Sequence, residues 1–287
     1  MMDYHELQSK LFENAEEGYR DFVLSGIITE RPLLGVRIPK CREFAQMILA
    51  SDQPRNADET SEGRSGNIGG RQEYFKGGTA EFLKHEPVSF EEVMVRGLVI
   101  AGLQYDEMIS QMYGFIELLD NWEICDCFCA AMKKNIQKNR EAFLDEIDKM
   151  LKSLDEFQTR VALVCLLDHY MEADYLAVIF DRIMELSEYL SDGPGEMSVT
   201  RKPGEVVGKR VAEKVLSWDA YYVKMAVAWL ISICFVKFPE ETMQFFKQLR
   251  LPKWTFNKTI AKIFEPFLNI INSLPKVSLG PLIIIWF

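Results

Sequence analysis

Apolar residues return every three or four positions along most of this chain, the spacing that lines one face of an α-helix, and no stretch alternates convincingly with period two. The pattern predicts helices over about 3–25, 39–50, 89–103, 106–119, 121–137, 140–153, 156–171, 173–190, 219–236, 239–249 and 255–272. Pro39 and Pro239 fall at helix starts, where a missing backbone N–H costs nothing. Two stretches break the pattern. Residues 51–78 and 191–210 are rich in Gly, Pro and polar side chains, which bury too little apolar area to offset ordering entropy, so both are expected to be flexible insertions.

Turns of two or three residues, as at Gln104-Tyr105, Leu154-Asp155 and Glu172-Ala173, join successive helices as antiparallel neighbours. A row of such pairs builds an α-solenoid of HEAT-like units, so the expected fold is all-α, one domain over residues 1–276. The apolar segment 277–287 that follows is too short to span a bilayer as a helix, and no membrane partner is expected.

Composition refines this picture in two ways. Cys41, Cys125, Cys127, Cys129, Cys165 and Cys234 lie mostly inside apolar helical runs, and no basic-plus-apolar leader precedes them, so a reducing cytoplasm is the expected compartment. Cys125, Cys127 and Cys129 are spaced by two, which on a helix sends successive thiols about 200° apart, so no metal site is expected of them. The net charge of −10 argues against a polyanionic partner until it is divided along the chain. Residues 1–200 carry −17 and residues 201–262 carry +7, so the basic share is concentrated where it can face phosphates. Lys224, Lys237 and Lys258 are the candidate contacts there, and Arg201, Lys202, Lys209 and Arg210 in the second insertion could add to them. A solvated basic surface is the alternative.

The chemistry-bearing pattern is Trp122 with Asp126 four residues later, which puts an indole and a carboxylate on one helix face. Such a pair suits a cation, although a lone tryptophan on an apolar helix is more often core. Arg160 follows on a later helix and Trp229 on a later one still; Arg160 could equally make an inter-helix ion pair. Asp168 and His169 are neighbours on a helix, about 100° apart, and read as structural.

Leu34-Gly-Val-Arg-Ile-Pro39 with the basic helix after it, Phe90 through Ile100, Phe115 through Asp126, Arg160 through His169, Tyr221 through Pro239 and Thr255-Phe-Asn-Lys258 together resemble the AlkD family of HEAT-like DNA alkylation-repair glycosylases, over most of residues 1–262. The resemblance implies release of cationic N3- and N7-alkylated purines from duplex DNA by a monomer that needs no metal or organic cofactor. It implies site roles for Trp122, Asp126, Arg160 and Trp229, the last matched through its own local motif because the second insertion lengthens the stretch before it. A helical-repeat scaffold without catalysis, binding a protein or nucleic acid, is the competing class.

Overall fold

The computed structural model describes residues 2–51, 78–190 and 220–273, with backbone alone for 266–273. Both expected insertions, except Ser51 and Gly78, and the apolar tail lie outside the described residues, as do Arg201, Lys202, Lys209 and Arg210. Every regular element among the described residues is helical, and the chain divides into two compact units, Met1–Lys152 and Ser153–Phe287.

The first unit contains α1 (Tyr4–Glu13), α2 (Glu17–Leu24), α3 (Ile38–Ala50), α4 (Gly78–Lys84), α5 (Phe90–Ala101), α6 (Tyr105–Ile116), α7 (Trp122–Ala131), α8 (Lys133–Lys138) and α9 (Arg140–Ser153). Its centre is a stack of alternate helices, α3 on α5 and α5 on α7, while α4 and α6 pair with α3 and α5. That sandwiching explains the dense apolar run from Phe90 to Ile100: Val93, Val95, Val99 and Ile100 are all but inaccessible. Gly97 lets Phe115 of α6 close against α5, since a Cβ there would lie 2.4 Å from the ring. Ser89 and Glu92 start α5 with a reciprocal capping box. Arg96 then reaches back to the carbonyls of Leu83 and His85 at 2.7 Å and so satisfies the end of α4.

The expected helix over 3–25 is two helices. Asn14 closes α1 by donating from Nδ2 to the Lys10 carbonyl at 2.8 Å, and the Glu16 N–H leaves the helix to donate to Gly35 at 3.1 Å. A long-range partner thus ends a run that local pattern alone would continue. Helix α4 was not expected, being too short for periodicity to register. The expected 121–137 helix is divided at Met132 into α7 and α8.

In the second unit α10 (Glu156–His169), α11 (Leu176–Ser187) after a 3₁₀ turn at Ala173–Tyr175, α12 (Tyr221–Lys237), α13 (Pro239–Phe246) and α14 (Lys253–Ser273) follow in order. Alternate helices stack here too, α10 on α12 and α12 on α14. Flanked on two sides, α12 buries Val223, Ala226, Val227, Ala228, Leu230, Ile231, Ser232 and Cys234. No helix among the described residues is long and apolar enough to cross a membrane.

Candidate active site

Helix α7 begins where Asn121 supplies the N-cap. Its buried Oδ1 accepts the N–H groups of Glu123 and Ile124, both at 3.1 Å, while its Nδ2 donates to Asp120, which accepts from the Thr29 hydroxyl at 2.7 Å. This chain of bonds fixes the first turn, and with it the side chains that follow. Ile124, Cys125, Phe128 and Cys129 face the core. Trp122, Glu123, Asp126, Cys127 and Ala130 occupy the outer flank, exposed or half-buried. The indole of Trp122 is 39% exposed, yet its Nε1–H donates to the Gly26 carbonyl at 3.1 Å. One edge of the ring is therefore held while much of the side chain stays open to solvent.

Glu123 belongs to this flank and was not singled out from the sequence, although its spacing of three from Asp126 was readable. Burial pushes its carboxyl above the usual range, and the charge of Glu91 adds to that rise. Burial raises the Tyr19 phenol as well, helped by Glu123. The guanidinium of Arg37 lies 4.9 Å over the Tyr19 ring and pairs with Glu16 through two bonds of 2.8 Å. Cys127 is pushed up to about 11 by burial, against the opposing charge of Arg42.

The loop before α3 is organised from beneath by Glu91, which is 1% exposed. Its Oε1 accepts from Leu34 at 3.1 Å, Gly35 at 2.7 Å and Val36 at 3.1 Å. Gly35 takes φ +91°, and a Cβ on it would lie 2.3 Å from the Glu16 carbonyl oxygen, so both conformation and space require glycine.

Arg160 and Trp229 lie in the second unit, on α10 and α12. Arg160 is 4% exposed, donates from Nη1 to the Tyr222 carbonyl at 3.1 Å and lies 5.7 Å over that residue's ring. Glu156, one turn earlier, accepts the Tyr222 N–H at 2.8 Å. The N-terminal end of α10 thus grips both backbone polar groups of Tyr222 and starts α12, whose N-cap Ala220 offers no side-chain bond of its own. Trp229 stands two turns further along α12, half-buried. Lys224 places Nζ 5.2 Å over the Trp254 ring, Lys237 is exposed with Nζ 3.5 Å from the Met171 carbonyl oxygen, and Lys258 is half-buried on α14. Trp122 and Asp126 therefore share one face of one helix in the first unit, while packed neighbours in the second carry Arg160 and Trp229.

No curated protein and no solved structure matches the chain. A family model does, over residues 79–192, the stretch that holds Trp122, Asp126 and Arg160; its description is DNA alkylation repair enzyme. Across that stretch the chain matches the DNA alkylation repair enzyme family, in keeping with the AlkD-like resemblance of its motifs.

Proposed function

We infer from the family match a DNA-repair enzyme whose substrate is alkylated DNA. We propose that the reaction is hydrolysis of the N-glycosidic bond of cationic N3- and N7-alkylated purines in duplex DNA, leaving an abasic site. The observation that carries this reading is the α7 flank, with the exposed, edge-held Trp122 and the carboxylate of Asp126 on one face. Alkylation gives the purine a positive charge and makes it a good leaving group. As the C1′–N bond breaks, its electron pair neutralises the base and positive charge builds on the deoxyribose. A carboxylate beside that charge stabilises it and orients the water that attacks C1′, and the role suits Asp126. An indole face attracts the cationic nucleotide, by about 0.5–2 kcal/mol depending on desolvation.

The resemblance gives Trp229 the second indole and Arg160 a phosphate. The tie to Tyr222 suits Arg160 to aligning the start of the helix that carries Trp229, and at 4% exposure its guanidinium would have to become accessible before it could reach a phosphate. Lys224, Lys237 and Lys258 are the proposed phosphate contacts of the second unit. Alternate-helix stacking within each unit supports the HEAT-like reading of the architecture. A monomer acting in the cytoplasm without metal or organic cofactor completes the proposal.

Asp126→Asn tests it, because the amide keeps the shape and loses the charge. Single-turnover release of N7-methylguanine from methylated duplex is expected to fall on the order of 10²–10³-fold while duplex affinity is largely retained. A wild-type chain that releases no alkylpurine under those conditions would sink the enzyme and promote the non-catalytic scaffold.

A further inference from the structure

Helices α3, α5 and α7 line an open cavity of about 290 Å³, with Arg42, Gln46 and Leu49 from α3, Leu98 from α5 and Ala130 and Ala131 from α7. Building on the DNA reading above, we propose that this cavity is a phosphodiester subsite, in which Arg42 and Gln46 hold a backbone phosphate of the lesion strand and the apolar floor packs against its sugar. The volume lies at the low end of ligand pockets, which run roughly 300–1,000 Å³, so it suits one backbone unit better than a free cofactor. Its polar lining side chains are a guanidinium and an amide four residues apart on α3, and therefore on one helix face. The remaining walls are small or aliphatic, and the α7 side is kept low by two alanines.

Charge singles out Arg42. Arg20 and Arg37 in the same unit are paired with carboxylates, and Arg31 and Arg96 hold backbone carbonyls. The neighbour of Arg42 is the Cys127 thiol, which burial keeps protonated at neutral pH, and no carboxylate among the described residues pairs with it. Glu123 and Asp126 act on the same thiol, but neither forms an ion pair with Arg42, and a phosphate in the cavity supplies a direct partner in the planar geometry that arginine matches. Position agrees. Ala130 stands one turn beyond Asp126 on the same flank, about 6 Å along the helix axis. DNA advances about 3.4 Å per nucleotide along a strand, so a phosphate in the cavity belongs one or two nucleotides from a sugar held at Asp126.

The test is fluorescence anisotropy of an unmodified duplex against salt concentration, using the whole chain. Arg42→Gln is expected to reduce the slope of log K against log salt by about 0.9, the loss of one phosphate contact. Arg42→Lys should keep the slope and weaken binding several-fold, because the charge remains and the fork is lost. Ala130→Leu, which narrows the cavity and leaves Arg42 in place, should weaken binding. Arg20→Gln removes an arginine already paired with Glu17 and Asp21, and is expected to leave the slope unchanged. A slope unaltered in Arg42→Gln, or lowered equally in Arg20→Gln, overturns the subsite, as does a wild-type chain that does not bind duplex. Duplex binding with no alkylpurine release removes the glycosylase and leaves the subsite standing.

Discussion

Truncating Glu91 to alanine exposes how much of the first unit depends on one buried carboxylate. The change removes the acceptor for three N–H groups, those of Leu34, Gly35 and Val36, at 2.7–3.1 Å. A buried donor left without a partner costs about 1–3 kcal/mol. Water entering the space vacated by the carboxylate recovers part of that cost. Taking the lower half of the range for three donors gives a loss of about 3–6 kcal/mol, a large fraction of the roughly 5–15 kcal/mol that holds a domain folded. Native-state hydrogen exchange of the three amides reads the loss locally and does not require the two units to unfold together. Glu91→Gln, which keeps one carbonyl acceptor, should fall between wild type and alanine. Both variants also remove the charge that helps raise the Glu123 carboxyl, so the Glu123 titration should move down toward its ordinary value. Protection of residues 34–36 that drops by less than about 1 kcal/mol in Glu91→Ala would refute the idea that this carboxylate holds the loop.

Gly35→Ala meets both a positive φ and the Glu16 carbonyl oxygen, an obstacle on the backbone rather than at the end of a flexible side chain. A loss of at least about 2 kcal/mol in urea denaturation is expected, and a loss under about 0.5 kcal/mol would contradict the geometry. Glu123→Gln acts with a defined sign. The folded state raises this carboxyl above its ordinary 4.5, so stability is lost as pH rises from there through the raised folded value. The glutamine variant should therefore melt higher than wild type at neutral pH and converge with it as the solution is acidified below 4.5; a variant less stable at neutral pH would show that the ionised carboxylate is favourably held.

What could be read in advance was whatever depends on neighbours in sequence. The all-helical class follows from apolar spacing, and the common face of Trp122 and Asp126 follows from four residues at 3.6 per turn. Contacts between distant segments were not readable. Glu91 lies 55–57 positions from the amides it holds, and in the sequence it is one more charge at the start of an apolar helix. The break between α1 and α2 likewise depends on the Gly35 carbonyl, so its cause lies outside the segment it interrupts. Arg42 offered only membership of a basic helix as a signal, because its distinction is the company it keeps, a thiol and a cavity where Arg20 and Arg37 have carboxylates and Arg31 and Arg96 have carbonyls. Arg160 was seen, but its tie to Tyr222 was not, since that bond spans 62 residues.

The cysteines bear on survival in the chemistry this protein is proposed to repair. Electrophiles that methylate DNA also capture sulfur, and the thiolate is the form they capture. Cys41, Cys125, Cys129, Cys165 and Cys234 are buried. Burial pushes Cys234 up to about 12 and drives Cys41 well above its ordinary value. Cys127, the half-exposed one, is held at about 11 and so is ionised in roughly one molecule in ten thousand at neutral pH. Even with a guanidinium beside it, the half-exposed thiol that follows Asp126 in sequence stays a poor nucleophile. A methylating agent reaching the α7 flank would find little there to consume it, and the protein could go on working in the conditions that generate its substrate.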